Sequence, residues 1–169
     1  QHLDIEVWGQ GNALFAGFEL LREKMAAGKT YEEALAATRN EIVFTTHTPV
    51  VQGNESHYID RLLYMGADLD CISKKQLKQL GGSPFNMTVG ALRMSRKSNA
   101  VAQLHAVTAN SMWKKVKDKE PIVGITNAIH LPTWVDKRMV EAAEKGGNVW
   151  MLHQENKRAL LAFIKERTN

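Results

Sequence analysis

Apolar and polar residues alternate along this chain in two periods, which divide it into short strands and amphipathic helices. Residues 3–8 read as a strand, with Ile5 and Val7 on one side and Gly9 punctuating its end. Leu14, Phe15, Phe18, Leu21 and Met25 then recur at helical spacing; Asn12 is placed to cap that helix and Gly28 to end it. Thr30 followed by Glu33 is a capping box, opening a second helix to about Arg39. Residues 41–46 form a continuous β-branched and aromatic run, the pattern of a strand buried on both faces, closed by Pro49 and Gly53. A third helix is expected over 55–64 and a short one over 73–80, before the break at Gly81-Gly82-Ser83-Pro84. Met87, Ala91, Leu92 and Met94 share one helical stripe, and the pattern resumes after Ser98 through Val101, Leu104, Val107, Met112 and Trp113. Residues 121–126 read as a third buried strand, and 136–144 and 149–167 as helices.

Strands separated by helices predict an α/β fold with a mainly parallel sheet. Three strands are few for 169 residues, and a strand stands at the very start of the chain. Both features are expected of a portion of a larger protein. The composition, 44% hydrophobic and 24% charged, is that of an ordinary folded domain, and no apolar stretch nears the roughly 20 residues of a membrane span. A single cysteine, Cys71, excludes an internal disulfide framework and fits a reducing cytosol, so a cytoplasmic location is expected. The net charge of +4 raises nucleic acid as a partner. Basic residues nevertheless alternate with acids, as in Arg22-Glu23-Lys24, and the densest basic stretch, 114–119, falls at a helix end, where cations favour the dipole. No nucleic-acid motif accompanies it. Neither nucleic acid nor membrane is expected as a partner.

In open α/β sheets, ligands bind beyond the carboxyl ends of the strands. One strand here delivers Thr45-Thr46-His47-Thr48-Pro49, another Thr126-Asn127-Ala128-Ile129-His130. The imidazole of His47 and the carboxamide of Asn127, with the hydroxyls of Thr46 and Thr48, suit a polyol or sugar. They suit a phosphate less well, because no glycine-rich loop, lysine or arginine accompanies them. A structural hydrogen bonder at His47 and a turn cap at Asn127 are the plainer alternatives. His105, on an apolar stripe, reads as a core histidine, and His57, His130 and His153 lack a partner set for zinc. No thiol nucleophile is expected at Cys71, and no metal site.

The same residues carry a family resemblance. Phe44 to Pro49 (FTTHTP), followed by Gly53-Asn54-Glu55, resembles a block of the α-glucan phosphorylases. Phe85 to Val89, Ala91 to Arg96 and Asn99 to His105 resemble the next block in the same order. Thr126 to Trp134 resembles TNGVHLPTW, His153 to Lys157 resembles that family's QENK helix, and Phe18 to Met25 also fits. The likeness spans nearly the whole chain.

The resemblance implies two facing Rossmann-like domains of the GT-B type with the active site between them. It implies transfer of a terminal α-1,4-linked glucosyl unit of an α-glucan or maltooligosaccharide to inorganic phosphate, giving glucose 1-phosphate. Pyridoxal phosphate, acting through its phosphate group, would serve as the proton relay. Residues 1–130 would be the later portion of the glucan-binding N-terminal domain, and 131–169 helices crossing toward the cofactor domain. His47 and Asn127 would contact the 6-hydroxyl of the reacting unit as positioning groups, with Thr46 and Thr48 beside them. No catalytic or cofactor-binding residue is expected within the chain, which alone should not catalyse phosphorolysis. Association into a homo-oligomer is also expected.

The chain departs from the family pattern in three places, one of them the segment between Trp134 and His153, which is shorter than usual. Gly9-Gln10-Gly11-Asn12-Ala13 stands where an NEGHA-like stretch is usual, and Ala128 stands where glycine is usual. A non-catalytic α-glucan-binding or regulatory module, or another GT-B glycosyltransferase using a sugar nucleotide, is the competing reading.

Overall fold

The computed structural model describes residues 6–9 and 11–168, so Gln10 and the opening of the first expected strand lie outside the described residues. Strand β1 (Glu6–Gly9) leads by a 3-10 turn at Gly11–Ala13 into helix α1 (Leu14–Ala26). Asn12 does not cap this helix: the turn runs straight into it, and the cap position falls to Ala13, which makes no side-chain cap bond. Gly28 closes α1 at φ +92°, with Gly28 N–H donating to Met25 O at 2.9 Å and Lys29 N–H to Lys24 O at 3.2 Å. That left-handed closure costs glycine little. Helix α2 (Tyr31–Glu41) opens with both bonds of the expected capping box: Thr30 N–H donates to Glu33 Oε2 at 2.9 Å, and Glu33 N–H to Thr30 Oγ1 at 3.3 Å.

Strand β2 (Ile42–Thr46) follows, then a 3-10 turn at Val51–Gly53, strand β3 (Ser56–His57) and helix α3 (Ile59–Tyr64). The helix expected from residue 55 therefore begins four residues later. Residues 56 and 57 are instead paired antiparallel with a short strand downstream, and Asn86 Nδ2 donates to Ser56 Oγ at 3.0 Å. Helix α4 (Lys74–Gly81) has a second capping box, Ser73 with Gln76. Strand β4 (Phe85–Asn86) and helix α5 (Met87–Met94) come next, the Asn86 side chain capping α5 through Val89 N–H at 2.9 Å. Strand β5 (Lys97–Ala100), helix α6 (Gln103–Met112) and strand β6 (Ile122–Gly124) complete a unit that ends at Asn127.

The main sheet is parallel throughout, in the order β1-β2-β5-β6. Its pleat puts Ile42, Phe44, Thr46, Ser98, Ala100 and Ile122 on one face, all buried. Helix α5 packs on β2, α6 on β5 and β6, and α1 and α2 pack against α5. Phe18, Leu21, Phe85, Met87, Leu92 and Met94 fill the interior between them. The opposite face carries Val43, Thr45 and Asn99, half-buried, and Val123, 51% exposed. Strands β2 and β6 are thus buried on one face and not on both. Phe44 and Ile122 supply that burial, while Val43 and Val123 register on the open side.

The second unit begins at Ala128 and holds α7 (Leu131–Trp134), α8 (Lys137–Glu144) and α9 (Val149–Thr168). Asp136 caps α8 by accepting from Arg138 N–H at 3.0 Å. The Arg138 guanidinium returns to Asp136 and donates to Glu155 at 3.1 Å and Asn156 at 3.0 Å, joining α8 to α9. These bonds hold the Asp136 carboxyl far below the ordinary aspartate range. No described residue of this unit is buried. No described helix of the chain is long and apolar enough to cross a membrane.

Candidate functional site at the carboxyl edge of the sheet

Because β1, β2, β5 and β6 run parallel, all four present their carboxyl ends at one edge, where the polar residues of the sequence collect. His47, the first residue past β2, is exposed, and a Cβ at Gly9 would stand 3.8 Å from its Nε2. The imidazole therefore leans toward the end of β1, where glycine leaves room. Asn127 is placed by the backbone ladder running on past β6. Ile125 N–H donates to Ala100 O at 2.9 Å, and Asn127 N–H donates to Val101 O at 3.1 Å. Its side chain is exposed.

The strands that deliver His47 and Asn127 are not neighbours in the sheet. Strand β5 lies between β2 and β6, so the two residues follow strands two positions apart, a separation of about 10 Å across the sheet. Strand β5 reads Lys97-Ser98-Asn99-Ala100, without a β-branched or aromatic residue, and the helical pattern on either side conceals it. Thr45 Oγ1 donates to Asn99 Oδ1 at 2.8 Å on the open face, tying β2 to β5 beneath the edge. Thr46 is 1% exposed and lies on the helix-covered face.

Next to His47 is a polar hollow of about 230 Å³, lined by Gly11, Asn12, Thr48, Asn54, Glu55 and Thr88 among others. Neither His47 nor Asn127 lines it. Thr88 Oγ1 donates to Asn54 Oδ1 at 2.7 Å, and Asn54 Nδ2 donates to Val50 O at 2.7 Å, so the buried floor is committed to structure. Asn12 makes no side-chain hydrogen bond to any described residue. Glu55 faces His57 at 3.6 Å, too long for a hydrogen bond. The Asn12 carboxamide and the Glu55 carboxylate match the donors and acceptors of a polyol. No lysine or arginine lines the hollow. Sequence periodicity misses Asn12, Asn54, Glu55 and Thr88 as a group, because the turn after β1, the loop after β2 and the start of α5 meet only in three dimensions.

Helix α6 secures β6 with two carboxamides. Asn110 donates to Ile122 O at 2.7 Å and accepts from Ile122 N–H at 3.1 Å, and Gln103 Nε2 donates to Gly124 O at 3.0 Å. His105 Nδ1 accepts from Val101 N–H at 3.4 Å, which supports the turn that anchors Asn127. Its buried Nε2 has no partner, so this half-buried histidine is satisfied at one nitrogen only. The expected stripe is corrected in part: Leu104 is 77% and Val107 67% exposed, whereas Trp113 is buried and Met112 packs against the core as expected, beside the buried Ala106 and Ala109 of α6. Burial pushes the Cys71 thiol above its ordinary pKa, which disfavours the thiolate. Outside the sheet edge, His130 Nδ1 shares a 2.7 Å hydrogen bond with Thr133 Oγ1, and His153 stacks on Trp150. No group of three His, Cys, Asp or Glu among the described residues is arranged to hold a metal ion. Ala128 does not have positive φ; among the described residues other than glycine that conformation is confined to Leu69, Asp70 and Asp118. Alanine is therefore unstrained there.

No protein-family model matches the chain. It is 32% identical to the maltodextrin phosphorylase of Thermococcus litoralis, across 86% of this chain and 19% of that protein. It is 30% identical to the glycogen phosphorylase of Aquifex aeolicus, across 89% of this chain and 26% of that protein. An uncharacterised protein of Methanocaldococcus jannaschii is 45% identical over 114 residues, 68% of this chain and 22% of its own length. The chain thus spans about a quarter or less of the length of the curated relatives it matches. Similarity that covers most of the chain and bears repeatedly on proteins of one name places it in the maltodextrin and glycogen phosphorylase family, as the counterpart of one segment of those longer proteins.

Proposed function

We propose that this chain forms the glucan-side wall of an α-glucan phosphorylase site. His47 and Asn127 hydrogen-bond the 6-hydroxyl of the terminal glucosyl unit, and the hollow at Asn12, Thr48 and Glu55 receives an adjoining sugar. The observation that carries this reading is the gathering of hydroxyl-binding groups, with no lysine or arginine in the hollow, at the carboxyl edge of one parallel sheet, in a chain akin to phosphorylases over most of its length. The reaction is transfer of that glucosyl unit to inorganic phosphate, giving glucose 1-phosphate. His47 and Asn127 hold the ring while positive charge develops at the anomeric carbon, and act as neither general acid nor general base.

The pyridoxal phosphate of the family does not fit this edge. The hollow offers no lysine for a Schiff base and no cation for a phosphate, and the Glu55 carboxylate would repel one. We assign the cofactor and the phosphate to parts of a longer or multi-chain enzyme. The isolated chain then binds glucan and does not turn it over.

Titration calorimetry with maltoheptaose tests the binding wall. His47→Ala and Asn127→Ala, both exposed substitutions, should each weaken binding about fivefold, the worth of one hydrogen bond. Unchanged affinity in both variants would refute it. Release of glucose 1-phosphate from glycogen and phosphate by the chain alone would refute its inactivity.

A further inference from the structure

A second cavity in the first unit, of about 520 Å³, is lined by Phe15, His57, Arg61, Leu62, Met65, Ala67 and Leu69. That volume is in the range of small-molecule sites. Its floor is Leu62, 6% exposed, and one wall is Phe15, whose ring meets Phe18 edge-on at 5.6 Å; Phe18 meets Phe85 in the same way at 6.2 Å. The wall is thus braced by the core and formed in advance. Leu69 and Asp70 stand at φ +50° and +56°, a conformation that side-chain-bearing residues rarely adopt, and Leu69 lines the cavity. Five of the seven lining residues are apolar.

The two polar ones differ in what they already touch. His57 faces Glu55 at 3.6 Å, and the nearby cations Arg22 and Lys74 are engaged with Glu19 and Asp60. Arg61 makes no ion pair and no side-chain hydrogen bond with any described residue. The aspartates flanking Leu69 are not among the lining residues. An uncommitted guanidinium over an apolar hollow calls for a ligand with an apolar body and an anionic head, because the guanidinium fork matches a carboxylate with two parallel hydrogen bonds.

We infer that this cavity binds a small amphipathic monoanion, an aromatic or medium-chain carboxylate, with its head on Arg61 and its body between Phe15, Leu62 and Leu69. The inference is independent of the glucan reading, since no residue of the sheet edge takes part.

The test uses 1-naphthoate and its neutral isostere 1-naphthamide, titrated into the whole chain by calorimetry, with amide chemical-shift mapping. Naphthoate should bind at one site and shift the amides of α1, α3 and residues 66–70. Arg61→Gln, an exposed change, should weaken naphthoate about tenfold and leave naphthamide unaltered, the loss expected for hydrogen bonds to a charged group. Lys74→Gln, a cation already paired with Asp60, should leave both affinities unchanged. Equal affinity for acid and amide, indifference to Arg61→Gln, no saturable binding, or shifts centred on α9 would each overturn the proposal.

Discussion

At the scale of single residues, the carboxyl edge depends on contacts too close for any side chain. A Cβ at Gly11 would stand 2.9 Å from Met87 Cβ and 3.1 Å from Thr88 N, where the turn after β1 meets the start of α5. At Gly53 it would stand 2.6 Å from the methyl of Thr48, one wall of the polar hollow. Gly11→Ala should therefore destabilise the fold by roughly 1–3 kcal/mol, the usual cost of overpacking, because the neighbour is a helix start rather than a flexible tip. Urea denaturation checks this, and an unchanged midpoint would refute the contact. His47 and Asn127 were legible in the sequence because each follows an apolar run that ends abruptly in polar residues. The role of Gly11 was not, since its neighbour is 76 positions away in the sequence.

At the scale of elements, the strongest local signals held. The Thr30–Glu33 box, the Gly28 closure and the apolar stripe of α5 are all present, each decided by residues a few positions apart. What failed was decided at a distance: β3 exists through pairing with β4, and β5 is a polar segment recruited by its neighbours β2 and β6. The Asp136 network gives this scale its own prediction. Hydrogen bonds from Arg138, with Asn156 adding another, keep the carboxyl ionised far below its ordinary pKa of 3.8. A depressed folded-state pKa means that the contribution is complete above that ordinary value and fades as pH falls through the lowered one. Far-UV circular dichroism should show α8 and α9 intact at about pH 4 and losing helix at lower pH. In Asp136→Asn this component of the acid transition should be missing; matching acid profiles for the two proteins would refute it.

At the scale of the whole molecule, the two units differ in what they bury. The first has a closely packed interior under one face of its sheet, whereas no described residue of the second is buried. Amide hydrogen exchange should accordingly be slowest in β2 and β5, the inner strands, and much faster along α9. Equal protection would show the second unit to be as stable as the first. The interposed strand β5 carries a last consequence. The gauge between imidazole and carboxamide is two rungs of a backbone ladder, not the reach of any connecting segment. Insertions after α6 or after β2 can accumulate without moving one group against the other, so the spacing of the two polar groups is insulated from the parts of the chain most free to vary.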